Sequence, residues 1–214
     1  SRLVHEEAAL APGAHIGRCR ERTFREVGEG TGRAIDLDRF DEHYYHLFMW
    51  NRKDRQIVGA YRLGLVDRIL EEHGLKGLYT HTLFRFNRKL LDRIHPAVEV
   101  GRSFVCPEYQ RAYQSLMLLW KAIGFFVVAH PDYVNLFGPV SITNDYSDLS
   151  RHLLVRTLSL THADPDLASL VRPRHPPRKR PKGGAPTEFE EVLDNIDDVA
   201  ELVQEIEKDG KGMP

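Results

Sequence analysis

Residues 98–105 read VEVGRSFV, an apolar and β-branched run that predicts a strand. Residues 113–129 follow with apolar side chains on nearly all sides, which predicts a buried helix. Residues 133–142, YVNLFGPVSI, again have the composition of a strand, with a bend at the Gly138-Pro139 step. Strands and helices that alternate along the chain in this way predict an α/β or α+β layered fold.

Upstream of this segment the pattern predicts a β-hairpin. Three aspartates precede an aromatic run over residues 44–50 (YYHLFMW), residues 51–55 are polar, and residues 56–66 (QIVGAYRLGLV) resume as β-branched and apolar. Helices are predicted over residues 14–29, 66–73, 88–95 and 145–160, the last with Asn144 or Asp145 as its N-cap.

The C-terminal part of the chain is divided by charge. Residues 172–182 carry six Lys and Arg and no acid, whereas residues 188–209 carry ten Asp and Glu against one Lys. The Pro-rich basic segment cannot pack a core, so residues 172–187 are predicted to be a solvated linker that follows a domain of residues 1–171. Apolar residues at steps of three and four then predict an acidic amphipathic helix over residues 188–214, whose apolar stripe covers the domain or a partner.

Composition excludes several classes of protein. A chain of 214 residues is long enough to bury a core without a disulfide or metal. Cys19 and Cys106 are far apart and lack CxxC spacing, which argues against a zinc ribbon and a secreted disulfide scaffold. The uncharged stretches are shorter than the ~20 residues that cross a bilayer. We expect a cytoplasmic protein, and the start at Ser1 rather than Met predicts a piece of a longer chain.

The histidines do not form a recognised metal motif. His43 and His46 lie in a strand-like run without the glutamate of the His-Glu-x-x-His zinc helix, so we expect no metal site there.

Four pieces of the sequence occur in a specific order: Arg20 with Phe24; the acid series Asp36-x-Asp38-x-x-Asp41; GAYRL with Arg62; and EVGRSFV with Glu99 and Arg102. With GRSFVCPEYQ, the LLWKAIG helix, LFGPVSI and DYSDLSR, they resemble the acyl-homoserine-lactone synthases and the ornithine and other amino-acid N-acyltransferases of the GNAT superfamily. The branch called hemolysin-like is the most similar, and the resemblance covers roughly residues 10–162.

This resemblance implies an enzyme that moves a fatty acyl group from a thioester to the amine of an amino acid or a related acceptor. It implies a mixed central sheet whose middle strands, residues 98–105 and 133–142, splay apart to admit the pantetheine arm of the donor. It implies no tightly bound cofactor and places Phe104 and Val105 at the thioester. The implied acceptor site comprises Arg20, Phe24, Asp36, Asp38, Asp41, Arg62, Arg102 and Ser103.

One departure from the family bears on the acyl donor. Coenzyme A users of this superfamily carry Gln/Arg-x-x-Gly-x-Gly/Ala after the first splayed strand, and its backbone amides bind the pyrophosphate. This chain has Gln110-x-x-Tyr113-x-Ser115, without either glycine. The departure favours acyl carrier protein as the donor, with acyl coenzyme A as the alternative.

The chemistry requires a proton acceptor, because an amine attacks a thioester only when it is neutral. Glu99 is the best candidate for the base, acting through water, and backbone N–H groups near Phe104 and Val105 are candidates for stabilising the oxyanion. Cys106 is a competing nucleophile, but no His/Asp relay can be identified for it. The alternative for Cys106 is an inert, partly buried thiol.

Structural roles stay open for the same charged residues. Glu99 could instead form a salt bridge with Arg102 or Arg62. The two arginines could bind a carboxylate or phosphate, or they could be ordinary charges on the face of the sheet. The three aspartates could recognise the acceptor amine, or they could be a solvated lead-in with an Asx-type cap.

Two other classes of function compete with an N-acyltransferase. A nucleic-acid-binding protein would use residues 172–182 as an electrostatic contact, but the acidic helix that follows would repel phosphate. A non-catalytic adaptor would keep the fold and bind a partner through the acidic helix. An assay of acyl transfer from a thioester to an amino acid distinguishes the N-acyltransferase, which catalyses it, from the adaptor, which does not.

Overall fold

The computed structural model describes residues 12–110, 113–143, 145–176 and 195–207. In these ranges the strands are β1 (Tyr45–Asn51), β2 (Gln56–Leu65), β3 (Phe84–Phe86), β4 (Ala97–Val105), β5 (Asn135–Phe137) and β6 (Val171–Pro173). The α-helices are α1 (Pro12–Glu26), α2 (Val66–His73), α3 (Thr80–Leu83), α4 (Arg88–Ile94), α5 (Tyr113–Ala129), α6 (Asp148–Thr161), α7 (Pro165–Ala168) and α8 (Ile196–Ile206). The chain forms two compact units, residues 1–81 with 91–139 and residues 82–90 with 140–214.

The first unit contains a four-stranded sheet in the order β1-β2-β4-β5. β1 and β2 form the predicted hairpin, β2 pairs antiparallel with β4, and β4 pairs parallel with β5. The mixed sheet flanked by helices confirms the predicted fold class.

β4 and β5 pair over only three residues. Their register runs from Ala97 opposite Asn135 to Glu99 opposite Phe137, and β4 continues for six residues beyond it. Gly138, the residue after β5, lies so close to β4 that a Cβ there would collide with the carbonyl oxygen of Val100. The prediction of a strand over all of 133–142 is wrong, because the Gly138-Pro139 step ends the pairing.

A bulge interrupts β4 three residues beyond Glu99, its last residue paired with β5. Ala60 faces Phe104 and Arg62 faces Gly101, so two residues of β4, Arg102 and Ser103, lie opposite the single Tyr61 of β2. Arg102 has a φ of 49°, in the left-handed region that costs a non-glycine residue about 1 kcal/mol or more. The ladder with β2 resumes beyond the bulge at Phe104 and Val105.

Helices cover both faces of this sheet. α1 packs on β2 and β4 through a cluster that includes Ile16, Phe24, Ala60 and Phe104. α5 packs on β1 and β2, where Phe126 meets the core formed by Leu63, Leu65, Val98 and Tyr133.

The prediction that α5 is a buried helix is wrong. Leu119 and Ile123 are buried against the sheet, but Trp120 is 58% exposed, Phe125 75% and Val128 79%. The apolar composition that predicted burial therefore extends onto the outward side of the helix. No helix of the described residues is long and apolar enough to cross a membrane.

The second unit contains the antiparallel pair β3 and β6 and the helices α6, α7 and α8. Ser147 caps α6 through its side chain, so the expected caps Asn144 and Asp145 are wrong; Asn144 itself lies outside the described residues. α8 packs on α6 through Val199 and Val203, as the amphipathic pattern predicts for the part of residues 188–214 that is described. Residues 172 and 173 of the predicted linker belong to β6, and residues 177–187 lie outside the described ranges.

Candidate active site

Three arginines and three aspartates meet on the α1 side of the sheet. Arg20 comes from α1, Arg62 from β2 and Arg102 from the bulge of β4. The aspartates flank a 3-10 turn over Arg39–Glu42, where Asp38 and Asp41 cap the turn reciprocally. The acid series is thus both a cap and the acidic half of a buried ion network, and the expectation of a merely solvated lead-in is wrong.

Arg20 lies at the bottom of this network, 1% exposed. Its Nη1 and Nη2 donate to the two carboxylate oxygens of Asp41 at 3.1 and 2.8 Å, and its Nε lies 3.2 Å from a carboxylate oxygen of Asp36. Nη2 also donates to the backbone carbonyl of Asp36. This bidentate geometry fixes α1 to the loop that carries the aspartates.

Arg62 joins the same acids from the sheet. Its Nη1 donates to Asp38 at 2.7 Å and to Asp41 at 3.1 Å. Its guanidinium carbon lies 5.2 Å from the centre of the Tyr44 ring and 5.1 Å from that of Tyr79, within cation–π range. Nη2 of Arg62 is buried and has no hydrogen-bond partner within the described residues.

Arg102 is the most loosely held of the three arginines. Its guanidinium lies 3.5 Å from Asp36 and 3.7 Å from Asp38, at the long end of ion-pair distances. It also stacks near the rings of Phe24 and Tyr79, at 5.6 and 5.5 Å. Phe24 thus contacts the cluster, although most of its ring is part of the α1 core.

The network shifts the ionisation of its members. Burial alone would raise the pKa of Asp41, but hydrogen bonds from Arg20 and from the Asp38 amide, with the charges of Arg20 and Arg62, lower it to about 2. Burial of Arg62 opposes its charged form, yet Asp38 and Asp41 hold its pKa above the ordinary value. Both side chains are therefore ionised at neutral pH.

Glu99 stands apart from the ion network. Its side chain is buried, and Oε2 accepts a hydrogen bond from the Tyr44 hydroxyl at 2.5 Å while Oε1 accepts one from the Thr80 amide at 2.6 Å. The described residues form no ion pair with it, so the predicted alternative of a salt bridge to Arg62 or Arg102 is wrong. Burial raises the pKa of Glu99, and the bonds from Tyr44 and Thr80 oppose the rise.

The end of β4 presents its groups to two sides. The Cys106 amide donates to Val58 at 2.8 Å, so by the alternation of an antiparallel ladder the Phe104 amide faces β2 and the Val105 amide faces the opposite side. The Ser103 side chain forms a hydrogen bond with the Tyr61 hydroxyl, away from the ion network. The amides of Phe104 and Val105, both predicted to lie at the thioester, therefore point in opposite directions. Ser103 lies apart from the other residues of the predicted acceptor site.

The thiol of Cys106 is buried and donates to the carbonyl of Ile57 at 3.1 Å. Its hydrogen bond with Cys19 and its burial raise the pKa of Cys106, whereas the same bond lowers the pKa of Cys19 to about 7. A protonated, buried thiol is a poor nucleophile, which supports the reading of Cys106 as an inert side chain.

Sequence reasoning missed Tyr44, Tyr79 and Thr80. The Tyr79 amide donates to the Tyr44 hydroxyl at 3.0 Å, and Thr80 is the first residue of α3. Their contacts with Glu99 and Arg62 join segments far apart in sequence, so no local spacing signalled them. No group of three or more potential metal ligands occurs within the described ranges, and His43 contacts the Gly77 carbonyl at 3.0 Å instead.

Comparison with known proteins shows what this chain is similar to. Residues 19–121 match the model of the acetyltransferase (GNAT) domain. The chain is 35% identical over 172 residues to a glycine N(alpha)-acyltransferase of Phocaeicola vulgatus. The aligned region covers 75% of this chain and 52% of that protein. A glycine N(alpha)-acyltransferase of Bacteroides thetaiotaomicron is 34% identical over 172 residues, 75% of this chain and 50% of that protein. The chain thus spans about half the length of these curated relatives, and no solved structure matches it.

Proposed function

Because residues 19–121 match the model of the GNAT acetyltransferase domain, we propose that the chain transfers a fatty acyl group from a thioester to the amine of an amino acid. The observation that carries the proposal is Glu99, a buried carboxyl group outside the ion network, at the last residue of β4 that pairs with β5. Two relatives named glycine N(alpha)-acyltransferase make glycine the first acceptor to test.

The proposed reaction needs no covalent enzyme intermediate. Glu99, acting through water, takes a proton from the acceptor ammonium or from the attacking amine, and the nitrogen then bonds to the thioester carbonyl carbon. The Val105 amide, which faces away from β2, is the candidate donor to the oxyanion. Collapse of the tetrahedral species breaks the C–S bond, and the thiol leaves with a proton.

The ion network is proposed to orient the acceptor rather than to react. Arg102 is paired at the longest distances, so its guanidinium is the one that can turn towards the carboxylate of an amino acid. Asp38 has the most exposed side chain of the three aspartates and is assigned to the acceptor ammonium before its deprotonation. Arg20, Asp36 and Asp41 are buried and hold this arrangement in place.

The donor is proposed to be acyl carrier protein. Gln110-x-x-Tyr113-x-Ser115 offers no glycine-rich turn before α5, so a pyrophosphate-binding loop like that of coenzyme A enzymes is not supported by the sequence. The phosphopantetheine of a carrier protein lacks that adenosine pyrophosphate and needs no such loop. Acyl coenzyme A is the alternative donor.

The test is acyl transfer by the full chain. The protein is incubated with acyl carrier protein or acyl coenzyme A and with glycine, ornithine or a pool of amino acids, and N-acyl products are measured by mass spectrometry. Glu99→Gln is expected to lower kcat by about 10²- to 10⁴-fold. Glu72→Gln, at an exposed position in α2, is the control and keeps full activity.

Each outcome has a stated meaning. Product formation that is lost in Glu99→Gln and kept in Glu72→Gln supports the proposal. Equal turnover in Glu99→Gln rejects Glu99 as the base. Absence of transfer from both thioesters to every acceptor supports the non-catalytic adaptor instead.

A further inference from the structure

Tyr44 makes the shortest contact to the proposed base. Its hydroxyl lies 2.5 Å from Oε2 of Glu99, in a buried pair that links the residue before β1 to the middle of the sheet. Neither the acid series nor the strand pattern signalled this residue. Its geometry nevertheless determines where the Glu99 carboxylate lies.

The slot for the Tyr44 ring is created by a glycine. Gly64 of β2 stands opposite Glu99 in the register with β4. A Cβ at Gly64 would lie 2.5 Å from Cε1 of Tyr44 and 2.7 Å from Cδ1 of Ile69, closer than such atoms can approach. Only a residue without a side chain at position 64 leaves room for the Tyr44 ring at this place. Phe40 closes the slot, with its ring centre 6.2 Å away in an edge contact.

The hydroxyl group has one orientation that satisfies its neighbours. The amide of Tyr79 donates to the Tyr44 oxygen at 3.0 Å, which occupies a lone pair. The hydroxyl proton can then go to Glu99 at 2.5 Å or to the Gly77 carbonyl at 3.3 Å. A carboxylate at the shorter distance is the stronger acceptor, so the proton points at Glu99. Together with the Thr80 amide on Oε1, this holds both carboxylate oxygens.

We infer that Tyr44 is a positioning residue for Glu99, which fixes the carboxylate at the end of the β4–β5 pairing and stabilises its ionised form. The inference rests on the proposed function, in which Glu99 must be ionised to accept a proton. It predicts that the strength of the Tyr44 hydrogen bond sets the pH at which the enzyme becomes active.

The groups around Glu99 determine the sign of this effect. Arg62 of β2 faces it and favours the carboxylate, but Asp38 and Asp41 pair with Arg62. Tyr44 and His43 face the same region from the residues before β1, Tyr79 and Thr80 from the start of α3, and Arg102 from β4. Burial raises the pKa of Glu99, so each donor that is removed raises it further. Burial and the Glu99 charge also raise the pKa of Tyr44, which keeps its hydroxyl protonated as a donor.

The first test compares two tyrosines. Tyr44→Phe removes the hydroxyl alone, and the lower break in the pH profile of kcat/KM is expected to move up by about one to two pH units. Activity lost at low pH returns at higher pH. Tyr133→Phe is the matched control, because Tyr133 is also buried and donates to a carboxylate, that of Asp67 at 2.7 Å, within the core on the α5 side. Its profile is expected to keep the wild-type break.

A second variant changes the hydrogen bond without removing it. Fluorotyrosine placed at position 44 is nearly isosteric and a stronger donor, so it moves the lower break to a lower pH and keeps the fold. Gly64→Ala, which pushes the ring out of its slot, moves the break upward like Tyr44→Phe. An unchanged break in both the Phe and the fluorotyrosine variants, or an equal shift in Tyr133→Phe, overturns the inference.

The proposed roles of Glu99 and Tyr44 can be rejected separately. If Glu99→Gln retains full turnover, the proposed function of Glu99 is rejected whatever Tyr44 does. If Glu99→Gln is inactive while the Tyr44 variants keep the wild-type pH break, Glu99 remains the base and Tyr44 is only a packing residue.

Discussion

Replacing Asp41 with asparagine tests the ion network that frames the site. The carboxylate accepts from Arg20 at 3.1 and 2.8 Å and from Arg62 at 3.1 Å, and asparagine keeps the shape of the side chain while removing its charge. In the folded protein the pKa of Asp41 falls from 3.8 to about 2. At 1.36 kcal/mol per unit, the shift corresponds to about 2 to 3 kcal/mol of folding free energy.

The sign of the pH dependence follows from the lowered pKa. The stabilisation is fully present above the pKa of the unfolded chain, near 4, and is lost as the pH falls towards about 2. About half of it is lost by pH 3. Asp41→Asn is therefore expected to be less stable than the wild type by about 2 to 3 kcal/mol at pH 7, and the difference shrinks in acid.

Urea unfolding of the wild type and the variant at pH 7, 5, 4 and 3 measures this difference. Glu108→Gln is the control, because Glu108 pairs with Arg22 at 2.8 Å where both side chains are about half exposed. Such a surface pair contributes about 0 to 1 kcal/mol. If the stability curves of Asp41→Asn and the wild type stay parallel from pH 7 to pH 3, the network does not hold Asp41 ionised and the reasoning is refuted.

Two further predictions concern the reaction site. Gly101 pairs with Arg62 and lies two residues from Glu99 on the same strand face, and a Cβ there meets nothing within 4 Å. Gly101→Ala should therefore fold normally and raise the KM for the amino acid but not the KM for the thioester. Gly124→Ala, whose Cβ also meets nothing within 4 Å, is the control and should change neither KM. An unchanged KM for the amino acid in Gly101→Ala contradicts an acceptor site beside Gly101. Cys106→Ala should leave kcat unchanged, and iodoacetamide at pH 7 should label Cys19 before Cys106, because the pKa of Cys19 is lowered to about 7. An acyl-thioester adduct on Cys106 would show that the covalent route operates.

The sequence predicts those parts of the fold that local pattern determines. The polar turn at residues 51–55 and the aromatic and β-branched runs on both sides of it predict the β1–β2 hairpin, and the helical pattern of residues 66–73 predicts α2. Register is less local. The bulge at Arg102 has no sequence signature, since glycine would be the usual residue at a positive φ and here the glycine is its neighbour, Gly101.

The resemblance to the N-acyltransferases predicts the charged residues of the cluster together with Phe24, and the structure brings Arg62 and Asp38 to 2.7 Å. Tyr44 belongs to an aromatic run in which any ring is a plausible core residue. Its role depends on Gly64, twenty positions away, and on a strand pairing that no local pattern specifies.

The charge balance of the site supports Glu99 rather than an aspartate as the proposed proton acceptor. The three aspartates face three arginines, so the network is neutral when every member is ionised, and removing one charge from it costs an unpaired buried partner. Glu99 is held by hydrogen bonds and has no ion pair within the described residues. Taking up a proton therefore neutralises a buried charge without leaving an arginine unpaired. In the proposed reaction, the ion network stays ionised while the Glu99 carboxyl group alone changes its protonation state.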